Sequence, residues 1–157
     1  MNWTRTPDRS TAAPAVIRAK ALELLARREH SRLELRQKLI QRGFGAEQIG
    51  PVLEQLVTER LLDESRYAEL YACSRADKGY GPLRVARELR ERGIPEEVVA
   101  TTLATLNDNW LAKLRDLHRK RFKSHRPTDA AGRMQQTRVL RQHGFTLDQI
   151  KLFFETE

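Results

Sequence analysis

One pattern occurs three times in this sequence, as LIQRGF at residues 39–44, LRERGI at residues 89–94 and LRQHGF at residues 140–145. Each copy contains a glycine that follows a basic residue and precedes an apolar one, and Gly43, Gly93 and Gly144 are 50 and 51 residues apart. A helix often ends with basic residues in its last turn and a glycine just beyond it, because glycine adopts the left-handed backbone conformation without steric cost. The three stretches therefore predict three helix ends at equivalent places of a repeated unit.

The residues around these glycines support the repeat, because apolar residues recur at the same distances from each glycine. The shared positions lie ten and four residues before the glycine and one, six and ten residues after it. In the order of the three copies, they hold Leu33, Leu83 and Met134; Leu39, Leu89 and Leu140; Phe44, Ile94 and Phe145; Ile49, Val99 and Ile150; and Leu53, Leu103 and Phe154. These spacings are typical of amphipathic helices, and no stretch shows the period of two that marks a strand.

Two helices are predicted around each glycine. Ser31 and Glu34 have the spacing of a capping box, which predicts a helix over residues 32–42, and its counterpart in the second unit begins at Pro82. Acidic residues after each glycine indicate the start of the following helix. Pro51 fits badly into the one expected over residues 46–59, so that helix either kinks or starts late.

A further helix is predicted to precede each pair, over residues 15–28, 64–77 and 108–123. Asp63 is expected to cap the second of these helices, and Asn107 or Asp108 the third. The fold class is therefore all-α, an elongated array of three tandem three-helix repeats. We expect a flexible tail over residues 1–14 and repeats over residues 15–60, 61–107 and 108–157.

Charge is the main functional signal in the composition. The net charge is +8 and the isoelectric point about 10.1. Residues 1–60 carry +4, residues 61–107 carry −1 and residues 108–157 carry +5. Such a protein is drawn to polyanions, either nucleic acid or an acidic protein surface, although an arginine-rich solvated surface is the simpler alternative.

Export and membrane insertion are not indicated. The single cysteine, Cys73, excludes an intramolecular disulfide framework and suits a reducing cytosol. The first residues contain no hydrophobic signal core, and no apolar stretch is long enough to cross a membrane. We expect a cytoplasmic protein.

Three segments of the chain resemble a known family. LLDESRYA at residues 61–68, GYGP at residues 79–82 and ELRERGI at residues 88–94 resemble the central signature of the RecX regulatory proteins. REHSRLEL at residues 28–35 resembles the first unit of that family, and the third unit matches more loosely. The resemblance covers residues 15–155 and departs mildly at Glu64, where the family often has aspartate.

The resemblance implies three tandem three-helix repeats and a regulatory role in DNA repair, recombination and the SOS response. It implies that the partners are RecA protein and the RecA–DNA filament. Binding in the helical groove of the filament would restrain strand exchange, ATP hydrolysis and coprotease activity. The alternative is a protein that binds nucleic acid directly. A regulator of RecA would also be expected to contact DNA weakly. We expect a monomer.

The candidate contact residues come from charge and from the signature. Leu111, Leu114, Leu117 and Phe122 are predicted to face a core, which leaves a basic rim of Arg115, Arg119, Lys120, Lys123 and Arg126. With only Asp116 interspersed, this rim favours a polyanion over a solvated face. Arg66 is a further candidate, although an ion pair with a nearby carboxylate explains it equally well.

Catalytic, cofactor and metal sites are not expected. His30, His118, His125 and His143 are scattered and are interpreted as surface or helix-end residues. Cys73 is interpreted as a packed residue, and Asp63-Glu64 and Glu96-Glu97 as helix-start carboxylates. The stretch KGYG at residues 78–81 lacks the order of a phosphate-binding loop.

Overall fold

The computed structural model of the chain describes residues 9–156, which form nine α-helices and a 3-10 turn at Asn107–Asn109. The helices are α1 (Pro14–Arg27), α2 (Arg32–Gln41), α3 (Ala46–Thr58), α4 (Glu64–Asp77), α5 (Pro82–Glu91), α6 (Glu96–Thr105), α7 (Trp110–Phe122), α8 (Ala130–Gln142) and α9 (Leu147–Thr156). No named strand occurs in this part of the chain. The predicted all-α fold of three tandem three-helix repeats is confirmed.

The predicted tail over residues 1–14 is only partly within the described residues. Residues 1–8 lie outside them. Residues 9–13 lead into α1, and the backbone of Arg9 forms an isolated parallel bridge with Phe44.

Side-chain caps begin four of the helices, with Ser31 before α2, Asp63 before α4, Asp129 before α8 and Thr146 before α9. The Ser31 hydroxyl accepts the Glu34 N–H at 3.1 Å, and the Asp63 carboxylate accepts the Arg66 N–H at 3.1 Å, as the sequence predicts. In the third repeat the prediction of Asn107 or Asp108 as a cap is wrong. Both residues belong to the 3-10 turn, and α7 begins after Asn109, whose side chain makes no cap hydrogen bond.

Helix α3 passes through Pro51 without interruption, so the alternative of a late start at this proline is wrong. A proline at this place leaves the carbonyl of Glu47, four residues earlier, without its helical donor. The Pro51 ring is exposed, so it does not disturb the packing of the core. The other side of the helix is buried through Ile49, Leu53 and Leu56.

The three anchor glycines all adopt the left-handed conformation, with φ of 93° at Gly43, 78° at Gly93 and 101° at Gly144. The Gly144 carbonyl accepts the N–H of Leu83 at 2.9 Å, and the His143 carbonyl accepts the N–H of Gly81 at 2.7 Å. A Cβ added at Gly81 would lie 2.5 Å from the Gly144 backbone. The third glycine turn is therefore seated against the first residues of α5.

The described residues divide into two compact units, the first formed by residues 9–67 together with Arg92–Ile94. Its core contains Ile17, Leu24, Leu35, Leu39, Phe44, Ile49, Leu53, Leu56 and Leu62. The second unit comprises Ala68–Glu91 and Pro95–Glu157. Its buried side chains include Val85, Leu89, Val99, Trp110, Leu114, Leu140, Phe145, Ile150 and Phe153.

The repeated apolar positions do not all belong to these cores. The residues four before, one after and six after each glycine are buried in all three repeats. Ten residues before the glycine, Leu33, Leu83 and Met134 are 37%, 58% and 66% exposed. This position is therefore a surface position in every repeat.

Candidate partner-binding surface

The basic rim predicted on α7 is exposed at all five residues, Arg115, Arg119, Lys120, Lys123 and Arg126. Trp110, Leu114 and Leu117 bury the opposite side of α7, whereas Leu111 and Phe122 are only half-buried. The helix ends at Lys123, whose backbone is left-handed with φ of 52°. The rim therefore stands outside a fixed core, as the sequence predicts, but its binding role stays a prediction.

Arg119 and Arg126 of the rim contact other groups of the chain. Arg119 pairs with Asp116 at 3.4 Å, an exposed ion pair that contributes little to stability. Arg126 donates to the Phe154 carbonyl at 3.0 Å and stacks over the Phe153 ring. The guanidinium of Arg126 is thus held at the start of the segment between α7 and α8.

His118 is buried inside α7, so its interpretation as a surface or helix-end residue is wrong. His30 is also buried, but it lies at a helix end, directly before the N-cap Ser31 of α2. His118 lies among aromatic rings, and its Nε2 is 2.8 Å from the Gln136 Oε1. The Gln136 amide in turn donates to the His125 carbonyl at 2.8 Å. Burial lowers the pKa of His30, whose ring nitrogens contact the Arg28 carbonyl and the Lys38 ammonium.

A second basic surface lies on α8 and was missed by the sequence reasoning. The helix contains Arg133, Arg138 and Arg141, all exposed, and no acidic residue from Ala130 to Gln142. Met134 is the most exposed of the large apolar residues described. The signal that identifies this surface is the lack of acids in the helix, whereas its arginines are too dispersed to form a charge run.

Arg66 lies in the capped first turn of α4, and its guanidinium forms ion pairs with carboxylates. Its guanidinium pairs with Glu29 at 2.9 Å and with Asp63 at 3.8 Å, and donates to the Arg60 carbonyl at 3.1 Å. These bonds raise the pKa of Arg66, with the Glu29 hydrogen bond as the largest cause. The structure thus contains the ion pair given as the alternative, and a contact with a partner stays a prediction.

The two signature tyrosines anchor buried or half-buried carboxylates. Tyr67 is buried and donates to Glu34 at 2.6 Å, and Tyr71 donates to Glu88 at 2.8 Å. Burial raises the pKa of Glu34, but the hydrogen bonds from Tyr67 and Arg28 outweigh it and hold that pKa below its usual value. The predicted core position of Tyr67 is confirmed.

Glu88 is the centre of a polar cluster in the second unit. Arg75 donates to both carboxylate oxygens of Glu88, from Nε at 2.9 Å and from Nη2 at 2.8 Å, and the Arg84 Nε donates to Oε1 at 3.3 Å. Burial raises the pKa of Glu88, but hydrogen bonds from Arg75, Tyr71 and Arg84 lower it by more, so the pKa lies below its usual value. The cluster has paired charges and a structural role rather than a free acid or base.

Aromatic stacking extends this cluster to the third glycine turn. The guanidinium carbons of Arg75 and Arg84 lie 4.0 and 4.2 Å from the centroid of the Tyr80 ring, and this ring stacks on His143. His143 also contacts the Gly79 carbonyl at 3.2 Å. These contacts fix the turn at residues 79–82 against the end of α8.

Among residues 9–156, no group of His, Cys, Asp and Glu side chains is arranged to hold a metal ion. Cys73 is exposed, so its interpretation as a packed residue is wrong. It lies on the solvent side of α4, beside Ala72, which is buried. A separate finding is that no helix in the described residues is long and apolar enough to span a bilayer.

The comparisons with known proteins agree across the whole repeat array. Models of the first, second and third three-helix domains of RecX match residues 18–56, 63–103 and 107–154. The chain is 44% identical to "Regulatory protein RecX" of Halorhodospira halophila, over 89% of this chain and 87% of that protein. A protein of the same name from Pseudomonas putida strain KT2440 is 44% identical over 87% of this chain and 88% of its own length.

Solved structures show the same fold. The crystal structure of RecX from Lactobacillus salivarius matches with a TM-score of 0.78 at 20% identity, covering 90% of this chain and 94% of that one. A second crystal structure, of regulatory protein RecX, matches with a TM-score of 0.79 at 21% identity, covering 90% of this chain and 73% of that one. The resemblance inferred from the signature residues is therefore confirmed: this chain belongs to the RecX family of regulatory proteins.

Proposed function

We propose that this protein is a non-enzymatic regulator that binds RecA and the RecA–DNA filament and restrains strand exchange, ATP hydrolysis and coprotease activity. The observation that carries the proposal is the match of all three repeats to RecX domain models, together with relatives named regulatory proteins. Cytoplasmic action in DNA repair, as a monomer, belongs to the same proposal.

The charge of the third repeat supports this proposal. Both α7 and α8 expose arginine or lysine side chains, and neither helix offers enough carboxylates to neutralise them. A nucleoprotein filament is a polyanion, so such surfaces favour association and make it sensitive to salt. The basic rim on α7 and Arg66 are the candidate contact residues.

The test is ATP hydrolysis by RecA on single-stranded DNA while the protein is titrated in at low and moderate salt. The proposal predicts inhibition that saturates with added protein and weakens as salt rises. Binding of the protein to RecA without DNA, measured by fluorescence anisotropy, is the companion measurement. RecA activity that is indifferent to the protein at both salt concentrations contradicts the proposal.

Direct nucleic-acid binding is the second candidate function, favoured by the acid-free helix α8. A nucleic-acid binder associates with naked DNA, and the logarithm of its affinity falls steeply with the logarithm of salt concentration. A regulator of RecA binds RecA without DNA. Tight binding to an oligonucleotide with no binding to free RecA would favour this second function over the first.

A further inference from the structure

The outward side of α8 is an open apolar strip bordered by arginines. Met134 is 66% exposed, and Ala130 and Arg141 lie four residues before it and seven after it, on the same line of the helix. Arg138 lies on the same side of the helix, one turn beyond Met134. Gln136 and Leu140 point the other way and are buried.

The arginines of this strip are not neutralised within the described part of the chain. Arg138 and Arg141 form no ion pair among residues 9–156, and α8 itself has no carboxylate. On α5, by comparison, Arg87 pairs with Glu91 and Arg90 pairs with Glu96. The apolar strip is thus exposed, and the guanidinium groups of Arg138 and Arg141 have no carboxylate partner among the described residues. The arginines of α5, by contrast, already have carboxylate partners.

In the other two repeats, the residue equivalent to Met134 contacts the glycine turn of the following repeat. A Cβ added at Gly93 would lie 2.9 Å from the Leu33 Cβ, and the Gly144 carbonyl accepts the N–H of Leu83. Leu33 and Leu83 hold the place of Met134 in their repeats. The first turn of this helix is thus a contact position in both earlier repeats.

The third repeat differs in how its helix begins. Relative to its glycine, α8 starts three residues earlier than α5, and the Gly132 N–H is taken by the Asp129 carboxylate at 2.7 Å. The equivalent N–H of Gly81 instead donates to the His143 carbonyl. Because Asp129 already satisfies this donor, an occupant of α8 is recognised by side chains rather than by a backbone turn.

We propose that the outward side of α8, formed by Ala130, Met134, Arg138 and Arg141, docks an amphipathic helix of a protein partner that carries carboxylates beside an apolar stripe. Methionine adapts its shape to an apolar partner, and arginine binds carboxylates with two parallel hydrogen bonds. A docked helix with an apolar stripe pairs with the Met134 line, whereas phosphates alone would leave that line uncovered. The inference rests on the proposed function, because RecA supplies the protein partner for the test.

Two variants separate the apolar and the charged parts of the strip. Met134→Glu places a charge in the apolar line, and Arg138→Glu with Arg141→Glu reverses the flank. The matched controls are Leu70→Glu, at an apolar residue of α4 that is 62% exposed, and Arg87→Glu with Arg90→Glu on α5. Every residue substituted in these four variants is exposed, and circular dichroism of each variant checks that helicity is unchanged.

The measurements are binding of each variant to RecA without DNA and to a fluorescent single-stranded oligonucleotide. We expect both α8 variants to weaken RecA binding by about tenfold or more, since central apolar anchors and matched charges dominate an interface. We expect Met134→Glu to leave oligonucleotide binding within about twofold of a Leu70→Glu control, because one exposed charge changes a polyelectrolyte contact little.

Other results contradict the inference in distinguishable ways. Oligonucleotide binding lost on reversal of Arg138 and Arg141, with RecA binding unchanged by Met134→Glu, would make α8 a nucleic-acid surface. Unchanged RecA binding in both α8 variants, with wild-type protein binding normally, would make the strip a solvated surface and leave the proposed function intact. Wild-type protein that does not bind RecA at all overturns the proposed function and this inference together.

Discussion

At Gly93, backbone conformation and packing constrain the same atom. The φ of 78° penalises any β-branched residue, and an added Cβ would meet Leu33 at 2.9 Å. We expect Gly93→Val to lower the free energy of unfolding by at least about 1–2 kcal/mol, the cost of the left-handed conformation alone. Urea denaturation measures this loss.

A second substitution separates the two causes at this turn. Adding Leu33→Gly to Gly93→Val removes the Leu33 Cβ but not the backbone penalty, so we expect only partial recovery of stability when the double variant is measured against Leu33→Gly alone. Full recovery would mean that crowding alone, and not the left-handed conformation, requires glycine. A Gly93→Val variant with normal stability but no RecA binding would mean that this glycine is a contact residue.

The pKa values of Glu88 and Glu64 are shifted in opposite directions. Burial raises the pKa of both carboxyls, but hydrogen bonds from Arg75, Tyr71 and Arg84 bring the pKa of Glu88 below its usual value. The pKa of Glu64 stays raised, since the hydrogen bond from the Arg32 backbone does not offset burial. One Glu64 oxygen, Oε2, is buried without a hydrogen-bond partner.

For Glu88, a lowered pKa in the folded protein means stability that is present above the unfolded pKa and lost as pH falls through the folded pKa. We expect Glu88→Gln to cost about 1.5–3 kcal/mol at pH 7, because its bonds involve charged groups. The difference from wild type should shrink as pH falls below about 4.3, the ordinary pKa of glutamate. Urea denaturation across this range measures it, with the exposed Glu91→Gln as a control that should change little.

For Glu64 the sign reverses. A raised folded pKa means stability that is present below the unfolded pKa and lost as pH rises through the folded pKa. We therefore expect Glu64→Gln to equal or exceed the wild-type stability at pH 7 and to lose that advantage in acid. A marked loss of stability at pH 7 would show that the Glu64 carboxylate has a favourable role in the fold.

Among the elements, helix α3 is the one whose sequence opposes its structure. Replacing Pro51 with alanine restores the N–H that the Glu47 carbonyl lacks. The Pro51 ring is exposed, so little packing is lost, and we expect the free energy of unfolding to rise by about 1 kcal/mol or more. Thermal denaturation followed by circular dichroism tests this expectation.

Pro95→Ala is the matched control for this change. Pro95 stands at the start of α6 with φ of −58°, where no helical hydrogen bond is missing. Its loss should only increase the freedom of the unfolded chain, so stability should fall slightly. Equal and opposite shifts are not required, but a drop in stability for Pro51→Ala would mean that the proline serves the fold.

Most helix boundaries could be predicted from the sequence because caps and glycines act locally. The caps at Ser31 and Asp63 and the three left-handed glycines follow from neighbouring residues alone. The burial of His118 could not be predicted in this way, because its partner Gln136 is supplied by another helix. The same holds for the 3-10 turn before α7, where Asn107 and Asp108 are good caps in isolation but do not cap that helix.

At the scale of the whole molecule, charge is uneven along the chain. Reversing Arg119, Lys120 and Lys123 to glutamate changes the third repeat by six charges while leaving its core untouched. We expect inhibition of RecA ATP hydrolysis to weaken, and to weaken most at low salt, because attraction to a polyanion is screened by ions. Single substitutions are expected to have small effects, since isolated exposed charges contribute little.

Reversal of Arg87 and Arg90 in the nearly neutral middle repeat is the comparison for this triple variant. If both variants lose inhibition equally, or only the middle pair does, the basic rim on α7 is a solubilising surface. Of the two basic surfaces, the rim on α7 could be predicted from the sequence and the surface on α8 could not, for a physical reason. A run of charges is visible in sequence, whereas the outward side of α8 combines residues spaced by whole turns.

The self-capped start of α8 has a consequence for the design of longer arrays. A fourth unit added by duplication would have to place its glycine turn on α8, as the third unit places its own on α5. Asp129 already holds the Gly132 N–H that such a turn would use. Adding a fourth unit would therefore require the residues before α8 to be replaced by a turn like that of Gly79–Pro82. In this sense Asp129 limits the number of repeats in the array.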